Sequence, residues 1–194
     1  MRVLGITGSL RSDSHNGRLL RAAAALLPPE AEFVAFTGLK AIPPFDEDDE
    51  RNPGSAVGRW RAEIGRADAL LFATPEYNSS IPGALKNAVD WASRPFATAA
   101  LRNRPAAVIG ASTGMFGAVW AQAELRKALA AAGARVIDRE LPVADVENAF
   151  AADGTLAEHD QELALGEILA ELLAQADMRI AAACVERAWT SSPA

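Results

Sequence analysis

Four short apolar runs separated by helical patterns constrain this chain more than any other feature. RVLGIT (2–7), AEFVAF (31–36), DALLFA (68–73) and PAAVIGA (105–111) read as strands. Ala- and Leu-rich segments stand between them, with helices expected at about 16–27 (closed by Pro28-Pro29), 56–66, 82–93 and 117–132. Gly133 supplies the last of these with a stop. ARVIDREL (134–141) reads as a fifth, shorter strand, and a final helix is expected from about Leu156 toward Ala188. Strands that alternate with helices imply a parallel sheet covered on both faces.

Five such strands fit a flavodoxin-like, three-layer α/β/α arrangement: a five-stranded parallel sheet of order 2-1-3-4-5 with a switch point between strands 1 and 3. A chain of 194 residues is long enough to bury such a core, with 1–189 expected as one domain and 190–194 as a frayed tail. Half of the residues are hydrophobic and 23% are charged, which excludes a disordered chain. The net charge of −6, without any run of Lys or Arg, argues against nucleic acid and anionic membrane surfaces as partners. The apolar run at the N-terminus is too short for a signal peptide, and no segment approaches ~18 apolar residues. A cytoplasmic location is therefore expected. The single cysteine, Cys184, excludes an intrachain disulfide and reads as a small buried hydrophobe.

The chemistry is concentrated where strands end. DALLFA runs into TPEYNSSIPG, where Pro75 has no N–H for a central strand and Glu76 to Ser80 show no core pattern. In the 2-1-3-4-5 order this loop meets 8–15 and 112–117, both rich in Ser, Thr, Asn and Gly, at one crevice. The first loop, GSLRSDSHN (8–16), offers the hydroxyls of Ser9, Ser12 and Ser14, Asn16, free N–H groups and the Arg11 guanidinium. It leads straight into a helix N-terminus, an arrangement that suits a phosphate. Capping needs only one such residue and leaves Ser9 and Arg11 unexplained. No Gly-Lys-Ser/Thr follows, so this is not a Walker A loop. The G-x-G-x-x-G spacing is missing too, and no acid ends the second strand to hold a ribose. Hydroxyls and one Arg serve a monophosphate better than a pyrophosphate, and FMN is the natural candidate.

The pair GSLRSDSHN and TPEYNSSIPGALKNAVDW resembles the NAD(P)H-dependent FMN reductases, a flavodoxin-like group with quinone, chromate and azo-dye reductases among its members. The resemblance covers residues 2 to about 150. It implies that Ser9, Arg11, Ser14 and Asn16 hold the FMN phosphate, with His15 where many members carry an aromatic residue. Pro75, Glu76, Tyr77, Asn78 and Ser79 would line the isoalloxazine, and Ser112, Thr113 and Gly114 would approach its other edge. The activity implied is hydride transfer from NADPH or NADH to FMN, then electron delivery to a quinone, free flavin or similar acceptor by a ping-pong route. Flavin chemistry asks the protein for placement and electrostatics, so no acid–base pair is required.

The alternative is a flavodoxin-like electron carrier without nicotinamide activity, but carriers of that kind are usually more acidic and lack an Arg in the phosphate loop. A hydrolase built on Asp13, Ser14 and His15 lacks a G-x-S-x-G elbow. His15 and His159 are too far apart for a recognisable metal pattern. The acidic run Asp46 to Glu50 reads as a solvated loop that partly rims the site. Trp91 and Arg94 read either as a dimer contact at the cofactor rim or as a half-buried pair, and Trp120 begins the next site-forming helix. A homodimer or homotetramer is expected.

Overall fold

The computed structural model describes the backbone of residues 1–190 and side chains to Cys184. In order, the elements are β1 (Arg2–Thr7), α1 (His15–Leu26), β2 (Glu32–Phe36), α2 (Gly54–Arg66), β3 (Ala69–Thr74) and α3 (Gly83–Ala92). They are followed by β4 (Pro105–Ala111), α4 (Val119–Ala131), β5 (Arg135–Val136), β6 (Pro142–Val143) and α5 (His159–Thr190). The sheet order is β2-β1-β3-β4-β5, and every pairing is parallel.

All six residues of β3 and all seven of β4 are buried, because helices cover both faces of the central strands. Alternate strand residues feed two cores. Val3, Leu71, Ala73, Ala107 and Ile109 pack with Leu19 and Ala23 of α1 and with Leu165, Leu169 and Leu172 of α5. Leu4, Ile6, Leu70, Phe72 and Val108 pack with Trp60 of α2, Leu85 and Val89 of α3, and Leu125 of α4. The carboxyl ends of β1, β3 and β4 consequently lie side by side, and the loops that leave them share one edge.

The fifth strand differs from expectation. Arg135–Val136 pairs with the start of β4, the chain then leaves the sheet, and Pro142–Val143 returns to pair with Gly110 and Ala111 at the end of β4. The buried Gln122 side chain explains the detour. Its amide donates to the carbonyls of Gly117 and Leu141 at 3.1 and 3.2 Å, and its oxygen accepts the Leu141 N–H at 3.0 Å. A Cβ on Gly110 would lie 2.9 Å from that amide, so glycine is needed there.

Trp91 is not a surface residue. It is fully buried, donates Nε1–H to the Pro43 carbonyl at 2.8 Å and meets Phe45 edge-on at 4.9 Å. The long loop after β2 makes this possible by folding back over α3. Asn87 fastens it, accepting the Phe45 N–H and donating to Pro43 O. Arg94 pairs with Glu47 and Glu50, so two members of the exposed acidic run are tied to the end of α3. Cys184 is exposed rather than buried, lying about two turns past Ala176, the last core residue of α5 among the described residues. Of the expected frayed tail, 191–194 lie outside the described residues.

Candidate functional site

The first wall of the site is the loop between β1 and α1. The Gly8 N–H donates to Ala73 O at 2.8 Å, drawing the loop against the end of β3. A side chain at Gly8 would meet Leu85 at 2.9 Å and Pro75 at 3.1 Å. Ser14 caps α1, its Oγ accepting the Gly17 N–H at 2.9 Å. Ser9 Oγ accepts the Arg11 N–H at 3.3 Å. Both hydroxyls are buried, and each retains its O–H as a donor.

Among the described residues, the backbone N–H groups of Ser12, Asp13, Ser14, His15 and Asn16 have no protein acceptor. Five successive free donors at a helix N-terminus make a concentrated positive pole. The exposed Arg11 guanidinium stands over the same turn, reaching only the Asp13 carbonyl at 3.4 Å. His15 Nδ1 is buried and has no hydrogen-bond partner.

The Asn16 side chain is engaged by the end of β4. Its Nδ2 donates to Ala111 O at 2.8 Å, and its Oδ1 accepts the Ala111 N–H at 3.0 Å. The amide completes the backbone pairing of the last residue of β4 and fastens the first loop to the third. Ala111 thereby joins the site, a residue with no chemistry of its own and no signal in the sequence.

The second wall is a two-residue hairpin. Tyr77 and Ser80 exchange N–H···O bonds at 3.0 and 3.1 Å, around Asn78 and Ser79 with φ of 53° and 59°. Asn tolerates that left-handed region well and Ser less so. Tyr77 is half exposed. Glu76 turns away into α4, its carboxylate accepting the N–H groups of Trp120 and Ala121 at 3.1 Å each. It caps a helix whose own capping position, Ala118, provides no side-chain acceptor, and its charge complements the helix dipole. Ser80 donates to Glu124 at 2.5 Å, adding a second tie from hairpin to helix.

The third wall is short. Ser112 Oγ accepts the Gly114 N–H at 2.9 Å, and Gly117 takes a positive φ of 55° where a Cβ would sit 2.5 Å from the Pro142 carbonyl carbon. Between the three walls lies a cleft of about 380 Å³. Ser9, Arg11, Ser14, His15, Asn16, Pro75, Glu76, Tyr77, Asn78, Ser79, Ser112, Thr113 and Gly114, all expected at one site, line it together with Ala111.

An open parallel sheet with a polar cleft at its switch point, one wall of which is an N-terminal anion cradle, defines a flavodoxin-like nucleotide-binding protein. Residues 1–148 match the model of the NADPH-dependent FMN reductase family, and the chain belongs to that family. It is an FMN-using oxidoreductase driven by NADPH or NADH. An NAD(P)H-dependent FMN reductase of Pseudomonas aeruginosa is 44% identical over 158 residues, covering 80% of this chain and 84% of that one. A 2-hydroxy-1,4-benzoquinone reductase of a Burkholderia species is 40% identical over 126 residues, covering 65% and 68%. Among solved structures, the flavoenzyme NAD(P)H:(acceptor) oxidoreductase FerB of Paracoccus denitrificans superposes with a TM-score of 0.79. It is 33% identical, and the match covers 91% of this chain and 97% of that one.

Proposed function

We propose that the cleft between the three loops holds FMN and that the acceptor of its electrons is a quinone or a similar small, flat oxidant. The observation that carries this reading is the row of five free N–H groups at the start of α1, flanked by two buried hydroxyls and Arg11. Such a donor set matches a dianionic phosphate and has no structural need within the protein. Ser9, Arg11, Ser14 and the 12–16 backbone would hold the phosphate, and His15 Nδ1 is a further group without a partner in the same cleft. The Asn16 side chain would hold the loop in place through Ala111, while its backbone N–H would remain one of the five donors.

The isoalloxazine would lie between the Tyr77–Ser80 hairpin and residues 112–114. The N–H groups of Asn78 and Ser79 have no protein acceptor among the described residues and are available to its polar edge. The flavin supplies the two-electron chemistry once bound, and the chain's part is to fix it, to satisfy its polar edges and to leave one face open. Tyr77, half exposed, would border that open face. NAD(P)H and the quinone would occupy it in turn, as a ping-pong route requires. A quinone acceptor is supported by the quinone reductases of Burkholderia, Pseudomonas putida and Escherichia coli among the relatives.

Among the described residues no helix is long and apolar enough to cross a membrane, and a cytoplasmic enzyme is the simplest setting. Anaerobic addition of NADPH or NADH to the FMN-loaded protein alone tests the reading. The yellow colour should bleach and return on addition of a benzoquinone. Persistent colour would indicate an electron carrier instead.

A further inference from the structure

The phosphate loop has a second cleft on its other side, facing β2. This space of about 390 Å³ shares Ser9, Arg11 and Ser14 with the cleft described above, and it continues past them to Arg21, Thr37 and Lys40. Arg11, Arg21 and Lys40 line it, with no carboxylate in the wall. None of the three is in an ion pair among the described residues. Elsewhere on this acidic surface Arg2, Arg94, Arg126, Arg139 and Arg179 are each matched by a carboxylate. An unmatched triple is a local reversal of the charge of the chain.

The floor is apolar. Phe33 lies across β1 so closely that a Cβ on Gly5 would come within 2.2 Å of its ring, and the buried Leu20, Phe36 and Leu39 complete the surface. Arg21 closes one end, its guanidinium 3.8 Å from where a Cβ on Gly17 would sit. An apolar bed beside two cations that the first cleft does not claim, Arg21 and Lys40, suits an aromatic ring that carries a phosphate.

We infer that this second cleft binds the adenosine-phosphate half of a dinucleotide, with the base on Phe33 and the phosphate between Arg21 and Lys40. This rests on the FMN assignment of the neighbouring cleft, because Arg11, Ser9 and Ser14 form the partition between the two. Two dinucleotides present that chemistry. One is NADPH, through its adenosine 2′-phosphate. The other is FAD, whose adenylate would continue from the flavin phosphate across the partition.

Calorimetric titration of the FMN-loaded protein with adenosine 2′,5′-bisphosphate and with 5′-AMP tests the site, with bound FMN read separately from its visible absorbance. Binding is expected for the parent. It should weaken about tenfold in Arg21→Ala and in Lys40→Ala and fall as salt rises, with FMN content unchanged. Tighter binding of the 2′,5′-bisphosphate assigns the cleft to NADPH. Displacement of FMN by FAD on dialysis of the holoprotein assigns it to the FAD adenylate. No binding by the parent at millimolar nucleotide, or equal binding by both variants, overturns the inference. So does loss of FMN together with nucleotide in the variants, since Arg21 and Lys40 would then belong to the flavin cradle. A parent that retains no FMN would instead refute the assignment of the first cleft.

Discussion

Asn16 and Ala111, 95 residues apart, are joined by two hydrogen bonds in which the side-chain amide of one answers both backbone groups of the other. The pairing continues the sheet past the end of β3, whose last partner on β4 is Gly110, and it fixes the distance between the first and third walls of the cleft. The side chain of Asn16 thus works as a brace.

Asn16→Ala should therefore lower stability whether or not flavin is present. It strands a buried N–H and a buried C=O, at about 1–3 kcal/mol for each group left unmade. Urea denaturation of the flavin-free protein should show a loss of at least about 2 kcal/mol. Riboflavin, which lacks the phosphate, should lose affinity along with FMN. A variant that binds riboflavin normally and FMN poorly would return Asn16 to the phosphate.

Arg11→Ala should behave in the opposite way. The side chain is exposed and supports no part of the fold, so stability of the flavin-free protein should be unchanged. A hydrogen bond to a charged group contributes about 1.5–3 kcal/mol, so the Kd for FMN should rise about ten- to a hundredfold. Riboflavin affinity should stay put. Fluorescence titration with both ligands reads the contrast directly, and parallel losses for the two would remove Arg11 from the cradle.

The two residues also differ in how far local sequence discloses their roles. The buried runs and polar loops are local signals, and β1, β3, β4 and the three walls fell where hydrophobic period and turn residues placed them. Side-chain assignments within the walls depend on partners far along the chain, and there local pattern says nothing. That the Asn16 side chain is tied to Ala111 leaves no local trace, because Ala111 is chemically mute. Glu76 lines the cleft as expected, but its second role, accepting two N–H groups at the start of α4, has no local signature. The run 134–141 looked like one strand because the intervention of Gln122, across from Leu141, leaves no trace in the periodicity.

Glu76 offers a graded test of that second point. Glu76→Gln keeps an oxygen for the N–H groups of Trp120 and Ala121 but removes the charge facing the helix dipole, at about 0.3–1 kcal/mol. Glu76→Ala removes both and should cost about 1–2 kcal/mol, in the range of a lost helix cap. Thermal denaturation should rank the parent above Gln and Gln above Ala. Equal stability of all three would mean that α4 is capped from elsewhere.

Assembly is the remaining prediction, and burial of Trp91 changes its basis. With Trp91 sealed under the 38–54 loop, α3 itself presents no aromatic to a partner, and a cluster of exposed apolar groups lies instead where the third loop enters α4. Met115 is 81% exposed, Phe116 56% and Trp120 47%, with the last two rings stacked edge-on at 4.9 Å. Tyr77, 50% exposed, belongs to the hairpin tied to the same helix through Glu76 and Ser80. Such residues are enriched in interface cores, and a specific interface buries about 800 Å² on each partner. A second copy covering this patch would place its surface at the rim of each flavin cleft. We expect a homodimer or a dimer of dimers, so light scattering at micromolar concentration should give at least twice the 20.4 kDa chain mass. Phe116→Ser combined with Trp120→Ser should shift the population toward monomer and change KM for quinone, because the neighbouring chain would no longer close the mouth. A parent that scatters as a monomer with full reductase activity would show that the patch serves the substrate alone.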